Sequence, residues 1–442
     1  MKRPAYIIEG GNPVKGEITA LGAKNFATKA MVAALLTDEP TTLTNIPDIG
    51  DITITADMLR GIGATLSMDS DALALTIEPA AIKSSHVTLP DSGSNRIPIL
   101  LLSALLQRFD EVRVPILGGC NIGARKVDFH IDAIIKFGGE VIDTPEGYVA
   151  KRTGRLQGAV IDLPYPSVGA TETALYLSVL AEGRSVIRNA AMEPEIFELV
   201  TMLRSMGAII FSGAEREFRI EGVEKLKGTT MPILGDRIEA ASWAALACAS
   251  DGDITVHGIR PDTMGNFLAY YRQVGGGFQL VGTDSIRFYR ERDLTPAMIE
   301  TDVYPGFSTD WQQPFAILLL KSHGVSIIHE TVYENRLGYL KDLKKLGAKV
   351  QITTHALGSI KNRYADGNHE ISAIISGPCN LKAVEEPLRI PDLRAGLAYV
   401  IAAAMAEGKT TIVGIENIER GYGNIVPRLT RMNLKIEKVF LS

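Results

Sequence analysis

Met58-Leu59-Arg60-Gly61-Ile62-Gly63-Ala64-Thr65 recurs along the chain in six variants. The others are Ile134-Ile135-Lys136-Phe137-Gly138-Gly139, Met202-Leu203-Arg204-Ser205-Met206-Gly207-Ala208, Tyr271-Arg272-Gln273-Val274-Gly275-Gly276, Leu343-Lys344-Lys345-Leu346-Gly347-Ala348 and Leu429-Thr430-Arg431-Met432-Asn433. Each reads as the last turn of an amphipathic helix closed by a residue in the left-handed region, Gly five times and Asn433 once, the two residues best tolerated there. Alternating stretches such as Ala348-Lys349-Val350-Gln351-Ile352 follow and read as strands. A second set of helices, more apolar and rich in alanine, is predicted at residues 23–37, 95–107, 170–182, 237–249, 310–322 and 393–407. Their small residues (Ala240, Ala241, Ala244, Ala245; Ala402, Ala403, Ala404) suit close packing around a common axis. One buried helix, one surface helix and a few strands per repeat of about 70 to 85 residues make six α/β units.

With 442 residues, 46% hydrophobic and 22% charged, the chain is globular and long enough for two domains. A net charge of −5 supplies no global field for nucleic acid, so any anionic ligand must be met by local clusters. Cys120, Cys248 and Cys379 are far apart, and the seven histidines show no ligand spacing. A disulfide framework and a metal centre are therefore not expected, no cofactor is implied, and a reducing cytoplasm is the expected location. The N-terminus reaches Glu9 and Gly10-Gly11 before an apolar signal region can form. The apolar run at 97–106 is short and holds Pro98 and Ser103, so no membrane span is expected.

Two features point to chemistry. Leu117-Gly118-Gly119-Cys120-Asn121-Ile122-Gly123-Ala124-Arg125 sets a lone thiol near a guanidinium in a glycine-rich stretch. It reads either as a surface turn with an idle cysteine or as a loop closing over an anion. The buried helices also open on polar clusters: Lys24-Asn25, Asn95-Arg96, Thr171-Glu172, Asp236-Arg237, Thr309-Asp310, and Asp392 with Arg394. N-capping accounts for Thr and Asp at such places. It does not account for Lys24, Arg96, Arg237 or Arg394, because a cation is unfavourable at the positive end of a helix dipole unless an anion lies nearby. Helix openings converging on one cleft would draw phosphate or carboxylate.

These residues, in order, resemble the UDP-N-acetylglucosamine 1-carboxyvinyltransferases, relatives of the shikimate-pathway enolpyruvyl transferase. The resemblance rests on Gly22-Ala23-Lys24-Asn25, the Cys120 loop with Val127-Asp128 and His130, Ser167-Val168-Gly169, Glu193-Pro194-Glu195, Asp236-Arg237, Pro305-Gly306-Phe307 with Thr309-Asp310, Glu334-Asn335-Arg336, Asp392-Leu393-Arg394 and Arg420-Gly421-Tyr422. It implies a two-domain inside-out α/β barrel of six β-α-β-α-β-β repeats, buried helices within and strands outside, with the active site between the domains. One domain would span 24–232 and the other 1–23 with 233–442. It also implies transfer of the enolpyruvyl group of phosphoenolpyruvate to the 3-hydroxyl of UDP-N-acetylglucosamine with loss of phosphate, the first committed step of peptidoglycan synthesis. Lys24, Asn25, Arg125, Arg394 and Arg420 would bind phosphoenolpyruvate. Asn25, Arg96, Arg125, Val127, Asp128, Ser167, Val168, Gly169, Thr309, Asp310 and Arg336 would bind the nucleotide sugar. Cys120 would be the general acid and the residue alkylated by fosfomycin; Asp310, at a helix start, would be the base and a possible N-cap; Lys24 and Arg420 would complete the catalytic set. Lys126 stands where the family often has Pro, which leaves open a paralogue with another nucleotide or sugar acceptor; a silent UDP-sugar-binding regulator is a separate alternative, against which Lys24, Cys120, Asp310 and Arg420 speak.

Overall fold

The computed structural model describes residues 3–119, 126–334, 336–363 and 367–441. All six predicted helix closures have left-handed backbone: φ is 104° at Gly63, 92° at Gly138, 103° at Gly207, 111° at Gly275, 97° at Gly347 and 62° at Asn433. Each ends a surface helix segment and releases the chain into an antiparallel strand pair, for example Thr65–Asp69 with Ala74–Glu78.

The apolar helices are Lys24–Ala33, Pro98–Leu105, Val168–Ser178, Arg237–Ala249, Gln312–Leu319 and Leu393–Met405. Every residue of the second, fourth, fifth and sixth is buried. Several boundaries differ from the predicted ones, for local reasons. Pro98 has no N–H to donate and is tolerated in the first turn, so the helix expected from 95 begins there. The helix expected from 170 begins at Val168 because the Ser167 hydroxyl caps it, accepting from the Ala170 N–H at 3.3 Å. The helix expected from 310 begins at Gln312, and Asp310 is not its cap.

The described chain forms two compact units. One consists of the described parts of Met1–Leu21 and Gly235–Ser442, the other of those of Gly22–Gly119 and Arg125–Leu234. Each holds three sheets, all open and none closed into a barrel among the described residues. In the first unit Arg237–Ala249, Gln312–Leu319 and Leu393–Met405 all touch one another, and their alanines permit the close approach. In the second, Pro98–Leu105 touches both Lys24–Ala33 and Val168–Ser178. Strands such as Asp253–His257 and Glu111–Pro115 alternate between buried and more exposed positions, so each sheet covers helices with one face and leaves the other towards water.

Each unit is completed by a parallel pairing between strands that are far apart in sequence. Lys15–Thr19 precedes the first buried helix in sequence but pairs in parallel with Asp253–His257 of the fourth repeat. Thr230–Pro232 precedes the fourth buried helix but pairs in parallel with Thr41–Thr44 of the first. No described helix is long and apolar enough to cross a membrane.

A Cβ added at Gly207 would meet nothing within 4 Å, so a substitution there tests backbone conformation alone. Gly207→Ala is expected to cost about 1–2 kcal/mol by left-handed strain, and Asn433→Gly to be close to neutral. Urea unfolding of the two variants checks this; equal losses would contradict the reading of these positions as conformational stops.

Candidate active site

In the unit containing residues 22–119, Lys24 is the first residue of its helix, with Asn25 following in the same turn. The cation does not stand alone at the positive helix end. Lys24 Nζ lies 2.7 Å from Oδ2 of Asp51, a buried carboxylate in the first turn of Gly50–Gly61. Asp51 thus satisfies its own helix dipole and neutralises the lysine. Gly22 is required just upstream, since a Cβ there would lie 2.1 Å from the Asn45 carbonyl oxygen.

The same unit gathers Arg96, His130 and the Ser167-Val168-Gly169 helix start. The Asn95 side chain accepts from the Ile97 N–H at 3.0 Å, which sets the chain at Arg96. Val127 occupies the N-cap position of Asp128–Lys136, and Asp128 is in its first turn. The buried His130 ring meets the Thr173 hydroxyl at 2.8 Å through Nδ1. It also packs against Gly169, where a Cβ would fall 2.9 Å from Cε1. Burial, reinforced by the positive charge of Arg96, pushes the His130 pKa down to about 3, so the imidazole is neutral. Glu172, one turn into the same helix, has its pKa pushed up to about 7. Burial is the main cause; Lys29 opposes it and Glu193 and Glu195 add to it.

The other unit holds a denser network. Asp310 receives Arg336 Nη2 at 2.5 Å on one oxygen and lies 3.4 Å from Arg394 Nε with the other. Arg394 also reaches Oδ2 of Asp236 at 3.4 Å and the Tyr422 hydroxyl at 3.0 Å through Nη1. Asp236 and Asp392 each cap a buried helix, Asp236 through the Ile238 N–H at 2.8 Å and Asp392 through the Arg394 N–H at 2.9 Å. Arg394 Nη2 is buried and has no hydrogen-bond partner among the described residues. Arg237 spends its charge differently, lying 5.0 Å from the Trp311 ring centroid. Arg420 lies in the last turn of Glu416–Tyr422, two residues before Tyr422. The Thr309 hydroxyl donates to the buried Glu330 carboxylate at 2.8 Å.

The expectation that Asp310 caps a helix is therefore corrected: its carboxylate is committed to two guanidinium groups. The anion that a helix-start cation calls for is in part supplied by the protein, by Asp51 for Lys24 and by Asp236 and Asp310 for Arg394. Asp51 and Glu330 were not singled out by sequence. Asp51 reads as an ordinary acidic residue in a first turn, and Glu330 carries no local signal. Cys120 and Arg125 lie outside the described residues, as does Asn335.

Residues 8–429 match the sequence profile of EPSP synthase (3-phosphoshikimate 1-carboxyvinyltransferase). The chain belongs to the EPSP synthase family. Within that family it is 43% identical, over 98% of its own length and 94% of the relative's, to a UDP-N-acetylglucosamine 1-carboxyvinyltransferase of Protochlamydia amoebophila. It is 44% identical, over 98% of both chains, to the protein of that name from Chlamydia trachomatis serovar D. Among solved structures, the enolpyruvyl transferase NikO from Streptomyces tendae superposes with a TM-score of 0.85 over the whole of both chains at 23% identity. An EPSP synthase from Acinetobacter baumannii gives 0.70 at 17% identity, over 99% of this chain and 100% of that one. The fold is thus the α/β fold of the enolpyruvyl transferases, and the chain is an enzyme of the carboxyvinyltransferase family.

Two predictions follow from the geometry. Asp310→Ala strips Arg336 and Arg394 of a shared counter-ion and is expected to lower unfolding free energy by roughly 3 kcal/mol, the low end for a broken buried pair because the Asp310 carboxylate is 20% exposed. A loss below 1 kcal/mol in urea unfolding would show that the network contributes little to stability.

The second concerns pH. His130, depressed in the fold, contributes stability that is complete above its unfolded value of about 6.5 and is lost as pH falls towards 3. Glu172, raised in the fold, contributes stability that is complete below its unfolded value of about 4.5 and is lost as pH rises towards 7. The two slopes oppose each other between those unfolded values. Glu172→Gln should remove one, so that stability rises with pH more steeply than in the parent protein, by up to about 1.4 kcal/mol per unit. Parallel stability–pH curves for the two proteins would refute a protonated Glu172.

Proposed function

We propose that the chain transfers the enolpyruvyl group of phosphoenolpyruvate to the 3-hydroxyl of UDP-N-acetylglucosamine and releases phosphate, the first committed step of peptidoglycan synthesis. The observation that carries this reading is the match, over 98% of the chain, to relatives bearing that activity in their names. The geometry fits it. Arg394 has two nitrogens engaged and a third, buried, with no described partner, which is the state expected of a guanidinium that completes its set on a bound anion.

In this reading Lys24, Arg125, Arg394 and Arg420 hold the phosphate and carboxylate of phosphoenolpyruvate, and Asn25 holds the sugar and the tetrahedral intermediate. Asp310, with Thr309 beside it and Arg336 fixing one of its oxygens, accepts the hydrogen of the sugar hydroxyl. The sugar oxygen then bonds to C2 of the enol while C3 takes a proton, for which Cys120 is the assigned donor. The resulting adduct loses a proton from C3 and breaks its C2–O bond to phosphate, regenerating the double bond. Positive charge at the phosphate and carboxylate lowers the barrier by stabilising charge as it develops. Arg96, Val127, Asp128, Ser167, Val168 and Gly169 are assigned to the nucleotide, the last three at a helix N-terminus whose N–H groups suit a diphosphate.

The same reading divides the chain at 24–232 and at 1–23 with 233–442. It arranges each part as an inside-out barrel, which the wholly buried helices support. The proton-donor role assigned to Cys120 needs a reduced thiol and so suits a cytoplasmic location.

Inorganic phosphate released from phosphoenolpyruvate in the presence of UDP-N-acetylglucosamine, and not without it, is the expected result. Turnover with another nucleotide sugar and none with this one would replace the acceptor. Arg394→Met is expected to lower kcat/KM by on the order of 10²-fold. Fosfomycin should label the parent protein once and Cys120→Ser not at all; labelling that persists in the variant would remove Cys120 from its role.

A further inference from the structure

The closing strand pair of most repeats is joined by a short turn: residues 70–73, 145–146, 213–217 and 282–284. In the fifth repeat the connection between Val350–Thr353 and Ser372–Gly377 runs over residues 354–371. A connection of that length is far outside what a hairpin needs and is usually functional.

The described part of this loop is tied down. Ser359 donates its N–H at 2.8 Å and its hydroxyl at 3.0 Å, and Ile360 its N–H at 2.7 Å, all to the Glu300 carboxylate. His329 Nε2 lies 3.0 Å from the Ile360 carbonyl oxygen, which makes Nε2 the protonated nitrogen and leaves Nδ1 to accept from the Ser372 hydroxyl at 2.9 Å. Gly358 passes so close that a Cβ would fall 2.3 Å from His329 Cδ2 and 2.7 Å from Glu300 Oε2.

From these anchors the loop grips one residue through both of its backbone groups. The Glu330 N–H donates to the Ile371 carbonyl at 2.8 Å, and the Asn362 amide donates to the Glu330 carbonyl. The Glu330 carboxylate in turn accepts from the Val332 and Tyr333 N–H groups at 2.8 and 3.2 Å and from the Thr309 hydroxyl at 2.8 Å. Tyr333 lies under the Arg336 guanidinium, 5.3 Å from ring centroid to Cζ, and Thr309 precedes Asp310.

We propose that residues 354–363 and 367–371 of this loop form a strap that fixes the acceptor-binding residues, with Asn362 and Glu330 as positioning residues for the nucleotide sugar and not for phosphoenolpyruvate. This rests on the assignment of Thr309, Asp310 and Arg336 to the acceptor. Asn362 and Glu330 touch no reacting atom; they act by holding Thr309 and the Val332–Tyr333 turn in register with Asp310.

The test compares Asn362→Ala, Glu330→Ala, Glu330→Gln and a variant with residues 355–370 replaced by Asn-Gly. Calorimetry gives Kd for UDP-N-acetylglucosamine, and phosphate release gives KM for both substrates. Asn362→Ala, Glu330→Ala and the shortened loop are expected to raise the acceptor Kd and KM about tenfold, with KM for phosphoenolpyruvate within about twofold. Glu330→Gln keeps an oxygen for the two N–H groups and an amide for the Thr309 hydroxyl, and should stay within about twofold of the parent. If the shortened loop does not fold, the point variants decide. An unchanged acceptor Kd in Asn362→Ala and Glu330→Ala, or an equal rise in both KM values, overturns the strap. A parent protein that binds UDP-N-acetylglucosamine but releases no phosphate fails the proposed function instead, and the Kd comparison still decides the strap.

Discussion

A cation fixed at the amino end of a buried helix must be neutralised where it stands, and the chemistry-bearing part of this protein is arranged by that constraint. Dipole and side-chain charge repel, and neither can be relieved by water once the helix is enclosed. Asp310 and Asp236 answer it for Arg394, Asp310 pairing also with the buried loop residue Arg336, and Asp51 answers it for Lys24. Carboxylates in the opening turns of neighbouring helices are suited to this because they also complement their own dipoles. Asp236 shows the economy: one oxygen caps a helix and the other faces Arg394.

The rest of the fold supplies the rigid frame that such pairs need. Helices such as Leu393–Met405 are buried at every position and can be held only by other helices and by the inner faces of sheets. Alanine-rich faces bring their axes close, so helix ends are fixed with respect to one another within each unit. Long-range parallel pairing adds a second constraint, because Lys15–Thr19 and Thr230–Pro232 each join, within their own unit, a strand far away in sequence.

What the sequence made legible is what local physics decides. A left-handed helix stop admits Gly or Asn and little else, so six stops could be counted without a structure, and Asn433 could be recognised as the sixth. The starts were harder. Ser167-Val168-Gly169 reads as loop until the Ser167 cap is seen, and Pro98 competes with the polar pair before it. The ion pairs were out of reach in principle: Lys24 and Asp51 lie on different helices, and Asp310 and Arg336 are separated by a helix and a strand. Nothing in either neighbourhood announces a partner that only packing supplies. The same holds for Glu330, whose importance comes from the long loop folded over its backbone.

On the proposed reading, the internal counter-ions also decide how an anion engages each of these cations. An anion approaching Lys24 competes with Asp51 at 2.7 Å, and one approaching the paired nitrogens of Arg394 competes with Asp310 and Asp236. Displacing a carboxylate leaves a buried negative charge to be satisfied elsewhere, so those contacts favour binding by only the difference between two pairings. Arg394 Nη2 is different, since it is buried, donor-only, and displaces no described partner when it is met. An anion that reaches it recovers a hydrogen bond at no such cost. On the proposed reading, that makes this nitrogen the natural first anchor in its unit. On the proposed reading, a ligand that takes over part of the Arg394 charge also leaves the Asp310 carboxylate freer to accept a hydroxyl hydrogen.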